Sequence, residues 1–141
     1  ELLTFRLANE EYAFRIEDVS EIIRLQTITL IPKSEAHLLG ITSLRGKIIP
    51  VVSLKKMLAL KEEDAPENKK QKILILKGRK GPIGVLTDRV VGVIRPSLSD
   101  IVESPPHLTA EEMRFIEGVA IADGRFISII RTSEAIAINV V

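Results

Sequence analysis

Residues 40–52 read GITSLRGKIIPVV, and residues 118–130 read GVAIADGRFISII. The second stretch is the first shifted by 78 positions. Gly40-Ile41 falls on Gly118-Val119, and Gly46-Lys47-Ile48-Ile49 on Gly124-Arg125-Phe126-Ile127. Val51-Val52 then falls on Ile129-Ile130. Apolar runs at 47–52 in the first stretch and at 118–122 and 125–130 in the second have the composition of strands. Matched glycines and a constant offset mark them as copies, not as two apolar strands alike by chance.

Upstream the offset is 71. Ala13-Phe14 falls on Gly84-Val85, Glu17 on Asp88, Val19 on Val90, and Ile22-Ile23-Arg24 on Val93-Ile94-Arg95. The change from 71 to 78 places seven extra residues between Arg95 and Gly118, where Pro105-Pro106 and Thr109-Ala110-Glu111-Glu112 stand. The chain is therefore expected to be a duplicated unit of about five short strands and one helix. The expected fold is mainly β: two five-stranded barrels about a pseudo-two-fold axis, with a few short helices. Closure into barrels removes sheet edges that strands this apolar could not leave open.

Around the copies the sequence predicts strands over 3–7, 12–16, 19–25, 28–31, 47–52, 72–77, 82–86, 90–94, 118–122 and 125–130. Asn9-Glu10-Glu11 is expected as the first turn, and Pro50 to mark an edge or a bulge. Helices are expected over 53–60, with Ser53 as cap, from the capping box at Thr109, and over 132–137. Residues 61–72, KEEDAPENKKQK, hold no apolar residue except Ala65 and read as a mobile surface linker. The expected division is one domain over 1–141. Its first barrel covers about 13–60 with shared terminal elements, and its second about 73–138.

Composition narrows the function classes. The 141 residues include 20 Lys and Arg against 19 Asp and Glu, a formal net charge of +1. That balance does not announce a nucleic-acid or anionic-membrane partner. There is no Cys, so no disulfide, thiolate metal site or cysteine nucleophile. No apolar run approaches the ~18 residues of a spanning helix, and no secretory signal is visible. The chain opens at Glu1 rather than Met, so a preceding segment is expected. His37 and His107 lie far apart without ligand spacing and read as surface or packing residues. Phosphate-binding and nucleophile-elbow motifs are absent. The acids gather in turns and the linker, which reads as solvated surface. The basic run 69–80 lacks the interleaved aromatics of a base-stacking platform.

One corner breaks the repeat. Leu44 falls on Ala122 and Arg45 on Asp123, changing size and charge where most of the framework keeps its type. Such a corner is a candidate for work that one copy alone does, set against simple pairing of Arg45 with a local acid. An Arg suits recognition because its planar fork fixes hydrogen bonds while its stem packs on apolar neighbours.

Gly40 to Leu58, GITSLRGKIIPVVSLKKML, resembles the signature run of the CheW-like domains of bacterial chemotaxis. Glu21-Ile22-Ile23-Arg24, Ile31-Pro32, the stretch GVLTDRV at 84–90, and Gly118 followed by Asp123-Gly124-Arg125 extend the resemblance over almost the whole chain. It departs at Ser43, where the family carries Asn, at Ser53, where it carries Asp or Asn, and at 130–134, IRTSE, which replaces a late acidic motif.

The resemblance implies the two barrels, no catalysis, no cofactor and no metal. It implies a chemotaxis adaptor coupling the cytoplasmic domain of a methyl-accepting receptor to the regulatory domain of the chemotaxis histidine kinase. It implies a cytoplasmic location, at membrane-associated receptor arrays through those partners, with no nucleic-acid partner and no membrane insertion. Carried over by position, the receptor-facing residues are Glu21, Leu44, Arg45 and Gly46, and the kinase-facing residues are Leu3, Ile16, Val19 and Ile22. Glu21 and Arg45 are expected to pair at the mouth of a groove between the barrels. Two other readings stand beside this one: a kinase regulatory domain or an adaptor–receiver fusion of the same fold, and, more remotely, a nucleic-acid-binding small barrel.

Overall fold

A computed structural model describes residues 1–31, 37–60, 70–103 and 109–137, with only the backbone of Glu111. The first half begins with a hairpin, β1 (Leu2–Leu7) and β2 (Glu10–Arg15). It continues with β3 (Val19–Arg24), β4 (Thr29–Leu30), β5 (Leu38–Leu44), β6 (Lys47–Val52) and a one-turn helix, α1 (Leu54–Met57). The second half repeats the order. It runs through β7 (Lys72–Gly78), β8 (Gly81–Thr87), β9 (Arg89–Ile94), β10 (Ile101–Val102), α2 (Ala110–Phe115), β11 (Ile116–Ala122), β12 (Arg125–Ile130) and α3 (Thr132–Ala135). Helix α2 lies within the seven-residue excess of the second copy.

The strands form two six-stranded sheets, ordered β3-β7-β8-β6-β5-β4 and β9-β1-β2-β12-β11-β10. Each has five strands of six or seven residues and a two-residue sixth, β4 or β10. The orders are identical once each strand is replaced by its copy. Registers agree too: Val51 pairs with Gly84 in parallel β6 and β8, and Ile129 with Ala13 in parallel β12 and β2. Both pairs carry the offsets read from the sequence.

That order corrects the expected division. Hairpin β7–β8 does not join the strands that follow it; it completes the sheet of β3–β6 (barrel one). Hairpin β1–β2 completes the sheet of β9–β12 (barrel two). The two copies have exchanged their opening hairpins. The boundary placed between 60 and 73 therefore cuts both barrels, and residues 61–69 of the expected linker lie outside the described residues. Lys72 already belongs to β7.

Each sheet curls around its own small core. Ile49, Ile73 and Ile75 fill barrel one, with Ile23, Ile28, Leu44 and Leu86 packed against them. Leu2, Ala13, Ala120, Ile127 and Ile129 fill barrel two, with Ile94 and Ile101 from opposite sheet edges on the same cluster. A third and larger cluster joins the barrels. Leu3, Phe5, Leu7 and Phe14 of one pack with Val52, Leu74, Leu76 and Val85 of the other, with Leu54 and Met57 of α1 and Ala135 of α3. Phe5 and Phe14 stack at 5.3 Å between centroids and are fully buried, each contributing roughly 1.5–3 kcal/mol.

Local chemistry explains the ends. Ser53 caps α1 by accepting from the Lys56 N–H, and Thr109 caps α2 by accepting from Glu112 N–H and donating to its Oε1. Helices α1 and α3 are shorter than expected, stopping at Met57 and Ala135. The first turn falls at Ala8-Asn9, because β2 already starts at Glu10. Strand β6 is interior, so Pro50 marks no edge. It stands one residue before the parallel pairing with β8 begins.

Candidate partner-binding surfaces

The corner at residues 44–46 is the tight turn between β5 and β6. Arg45 (φ 48°) and Gly46 (φ 81°) both adopt left-handed backbone, the geometry of a two-residue hairpin turn. The matching turn of barrel two, Asp123 (φ 50°) and Gly124 (φ 74°), uses an Asp, which tolerates that region better than most residues. Arg45 occupies it against its intrinsic preference.

Its guanidinium reaches across the barrel to Glu21 on β3, Nη2 to Oε2 at 2.5 Å, joining the β5–β6 turn to a strand that pairs with neither β5 nor β6. The Arg45 hydrogen bond, more than its charge, holds the Glu21 carboxyl below the usual carboxylate range, and the same bond raises Arg45. Both side chains face solvent. The pair thus lies within barrel one, not between the barrels as expected. It lines a shallow hollow with Ser20, Leu44, Lys47 and Pro82. Leu44 is half-buried against the barrel core, and Gly46 is exposed.

Barrel two lacks both members of this pair. The register that sets Glu21 opposite Ile75 sets Gly92 opposite Thr4, so Gly92 replaces Glu21 as Asp123 replaces Arg45. The two positions lie 24 residues apart and diverge together. The sequence shows the divergence at Arg45 and its offset of 71 sets Glu21 on Gly92; the strand register gives the same equivalence.

The residues expected to face the kinase separate. Leu3 is 3% exposed in the shared core and drops out of any contact surface. Ile16 and Val19 are half-buried against that core. Ile22 points outward from edge strand β3 and is 45% exposed. Leu25, beyond the expected set, is exposed just past the end of β3, while exposed Leu30 and Ile31 lie at β4, the opposite edge of the same sheet.

A groove of about 600 Å³ runs between barrel one and α3, floored by Ile48, Pro50, Pro82, Ile83 and Ile136. It meets the Arg45 hollow at Pro82. Sequence reading missed it, although the outward alternation of Ile48 and Pro50 in β6 was a signal. The equivalent place on barrel two is a hollow with Phe126 in the position of Ile48. There Arg125 holds both carboxylate oxygens of Glu11 at 3.0 and 3.1 Å, and Tyr12 donates to Glu10 at 2.7 Å. Burial, above all, pushes the Tyr12 hydroxyl well above its ordinary range.

One polar contact ties the barrels together away from these surfaces. Asp88 accepts from Lys55 Nζ at 2.8 Å and from the Ala8 N–H at 2.7 Å, joining α1 to the β1–β2 turn. Among the described residues no group of His, Asp and Glu has metal-binding geometry, and no helix is long and apolar enough to cross a membrane. His37 is half-buried at the start of β5, and His107 lies outside the described residues.

The chain matches the family model of the CheW-like domain over residues 1–138. It is 34% identical over 130 residues to the chemotaxis protein CheW of Thermotoga maritima, covering 90% of this chain and 81% of that protein. A probable chemotaxis protein CheW of Rhizobium etli is 29% identical over 131 residues, covering 92% and 83%. Among solved structures, the scaffolding protein TtCheW of Thermoanaerobacter tengcongensis superposes with a TM-score of 0.82 at 35% identity, covering 92% of this chain and 82% of that one. A duplicated pair of barrels, an arginine corner present in one copy only and these likenesses together place the chain in the CheW-like domain family of chemotaxis scaffold proteins.

Proposed function

We propose that this protein is an adaptor that holds the cytoplasmic tip of a chemoreceptor and the regulatory domain of the chemotaxis histidine kinase at the same time, on two separate surfaces. The receptor surface is the Glu21–Arg45 corner with Leu44, Gly46 and the hollow beneath them. The kinase surface is the β3 edge around Ile22, with Ile16 and Val19 supporting it from the half-buried side. The adaptor works in the cytoplasm, drawn to membrane-associated receptor arrays by these partners.

The observation that carries this reading is the paired divergence. An Arg in a turn position that disfavours it, tied to an acid on another strand, is a pair without counterpart in a sheet of identical order. The fold manages without the pair in barrel two, so the pair is free to serve a partner. Holding the guanidinium in one place reduces the rotamer freedom lost on binding. Exposed Ile22 and Leu25 gain from desolvation against an apolar partner. Two moderate contacts on one rigid body give avidity through effective concentration, without a change of shape.

The test is binding of a receptor cytoplasmic fragment and a kinase regulatory domain from the same cell, measured separately by titration calorimetry. Arg45→His should weaken receptor binding at least tenfold, leave kinase binding intact and shift the melting temperature by less than about 2 °C. Ile22→Glu should do the reverse. If Arg45→His unfolds the protein, the corner is structural. If either variant loses both partners equally, the surfaces are not separate.

A further inference from the structure

The two copies put opposite charge around equivalent turns. With the offsets of 71 and 78, Arg79-Lys80-Gly81-Pro82 at the β7–β8 turn falls on Ala8-Asn9-Glu10-Glu11 at the β1–β2 turn, and Arg45 falls on Asp123. In barrel two the result is a hollow of about 440 Å³ between the β1–β2 turn, β12 and α2. Glu10, Glu11 and Glu112 line it, over buried Tyr12, Ile116 and Val119. Its two cations are already engaged: Arg125 by both oxygens of Glu11, and Arg6 by the Asn9 carbonyl. Glu10 accepts from the Tyr12 hydroxyl and Glu112 from the Thr109 hydroxyl, and neither forms an ion pair among the described residues. After burial and the bond to Glu10, the charges of Glu10 and Glu112 both help to raise the Tyr12 hydroxyl, so the two carboxylates act on one spot.

Phe126 stands at the edge of this hollow, 69% exposed. The other aromatic residues, Phe5, Tyr12, Phe14 and Phe115, are all buried. Ile121, directly opposite Phe126 on β11, is also exposed. Neither residue belongs to a core cluster, so barrel two does not use this cross-strand pair for its own packing.

We infer that this hollow of barrel two is a third docking surface, and that it takes a helical segment carrying Lys or Arg beside an apolar stripe. The stripe covers Phe126 and Ile121, which lose their contact with water, and Phe126 acts as the aromatic anchor. The flanking cations reach Glu10 and Glu112, the carboxylates free of an ion pair. The same two charges repel a segment with acidic flanks, so the hollow discriminates by sign as well as by shape. A cation resting on the exposed ring of Phe126 adds to the preference for Arg or Lys. This hollow shares no lining residue with the Arg45 hollow, so a third partner can bind without displacing a receptor from that corner.

The test uses the full chain and two labelled helical peptides of about 18 residues with the same Leu stripe, one flanked by Lys and the other by Glu. Fluorescence anisotropy at 50 and 300 mM salt reads the affinity. The Lys peptide should bind the wild type at least tenfold more tightly than the Glu peptide at 50 mM, and several-fold more weakly at 300 mM. The double variant Glu10→Gln, Glu112→Gln keeps the hydroxyl acceptors and the fold. It should lose most of that preference and most of the salt dependence. Glu10→Lys, Glu112→Lys should reverse the preference. Phe126→Ser should weaken the Lys peptide at both salt concentrations without lowering the melting temperature. Amide shifts caused by the Lys peptide should centre on Glu10, Glu112 and Phe126. Equal affinity for the two peptides, no binding of the Lys peptide, or affinity unchanged in the Gln variant overturns the inference. If a receptor fragment displaces the Lys peptide and Arg45→His abolishes its binding, the peptide occupies the receptor corner; the inference is overturned and the receptor reading stands. If the wild type forms a dimer that Phe126→Ser abolishes, and the dimer excludes the Lys peptide, the occupant is a second copy of this chain and the inference is likewise overturned.

Discussion

Gly40 has no room for a side chain. A Cβ built there would lie 2.2 Å from the backbone oxygen of Thr29, and at Gly118 the corresponding approach to Val102 is 3.1 Å. Both glycines sit where β5 or β11 slips its register against the next strand and lets the short sixth strand come close. Gly40→Ala should therefore destabilise by about 1–3 kcal/mol and Gly118→Ala by clearly less, measured by denaturant unfolding. Equal costs would mean that the close approach of β4 is not what holds Gly40. The repeat showed that both positions take glycine; the reason needed the structure. Arg45 was legible for a similar cause, since it was the residue that broke the repeat. Leu3 was not. A leucine in an alternating strand reads the same whether its face meets a partner or the other barrel, and here it meets the barrel.

The opening hairpin is the element that sequence reading misassigned. β1–β2 precedes β3 and is joined to it by only the short turn Ile16–Asp18, so neighbours in sequence were taken as neighbours in space. The pairings deny this: β1 lies beside β9, and β2 beside β12. Apolar alternation gives a strand's existence and which of its faces is buried, but not which sheet buries it. Strand β5 was missed although its copy, β11, was read correctly, because Gly40, Thr42 and Ser43 interrupt its apolar run. Where the exchanged hairpin meets the other barrel, Asp88 links Lys55 to the Ala8 N–H, and both charged side chains are less than a fifth exposed. Asp88→Ala should cost roughly 1–3 kcal/mol by leaving a donor and an ammonium without their acceptor. Thermal melts of Asp88→Ala and Asp88→Asn measure it. A cost within experimental error would show that the contact is incidental to the joint.

Exchange of hairpins makes the two barrels one folding unit. Neither copy contains a complete sheet, and the largest core cluster lies between the barrels. Fragments 1–60 and 70–141, expressed apart, should therefore lack dispersed amide NMR spectra and recover them on mixing. A fragment 1–60 that folds alone would contradict the exchange. The intact chain should melt in a single cooperative transition. Rigidity of this kind suits a scaffold, because two surfaces on one body keep a fixed separation. The broad architecture was legible from the duplication alone. The grooves were not, since each is assembled from strands that the sequence keeps far apart.

The decisive measurement is light scattering of the wild-type protein mixed with both a receptor cytoplasmic fragment and the kinase regulatory domain. A single species whose mass contains all three components is expected. It should be reduced to the kinase pair by Arg45→His and to the receptor pair by Ile22→Glu. Competition between the two partners, with each displacing the other and no ternary species at any ratio, would contradict a two-sided adaptor.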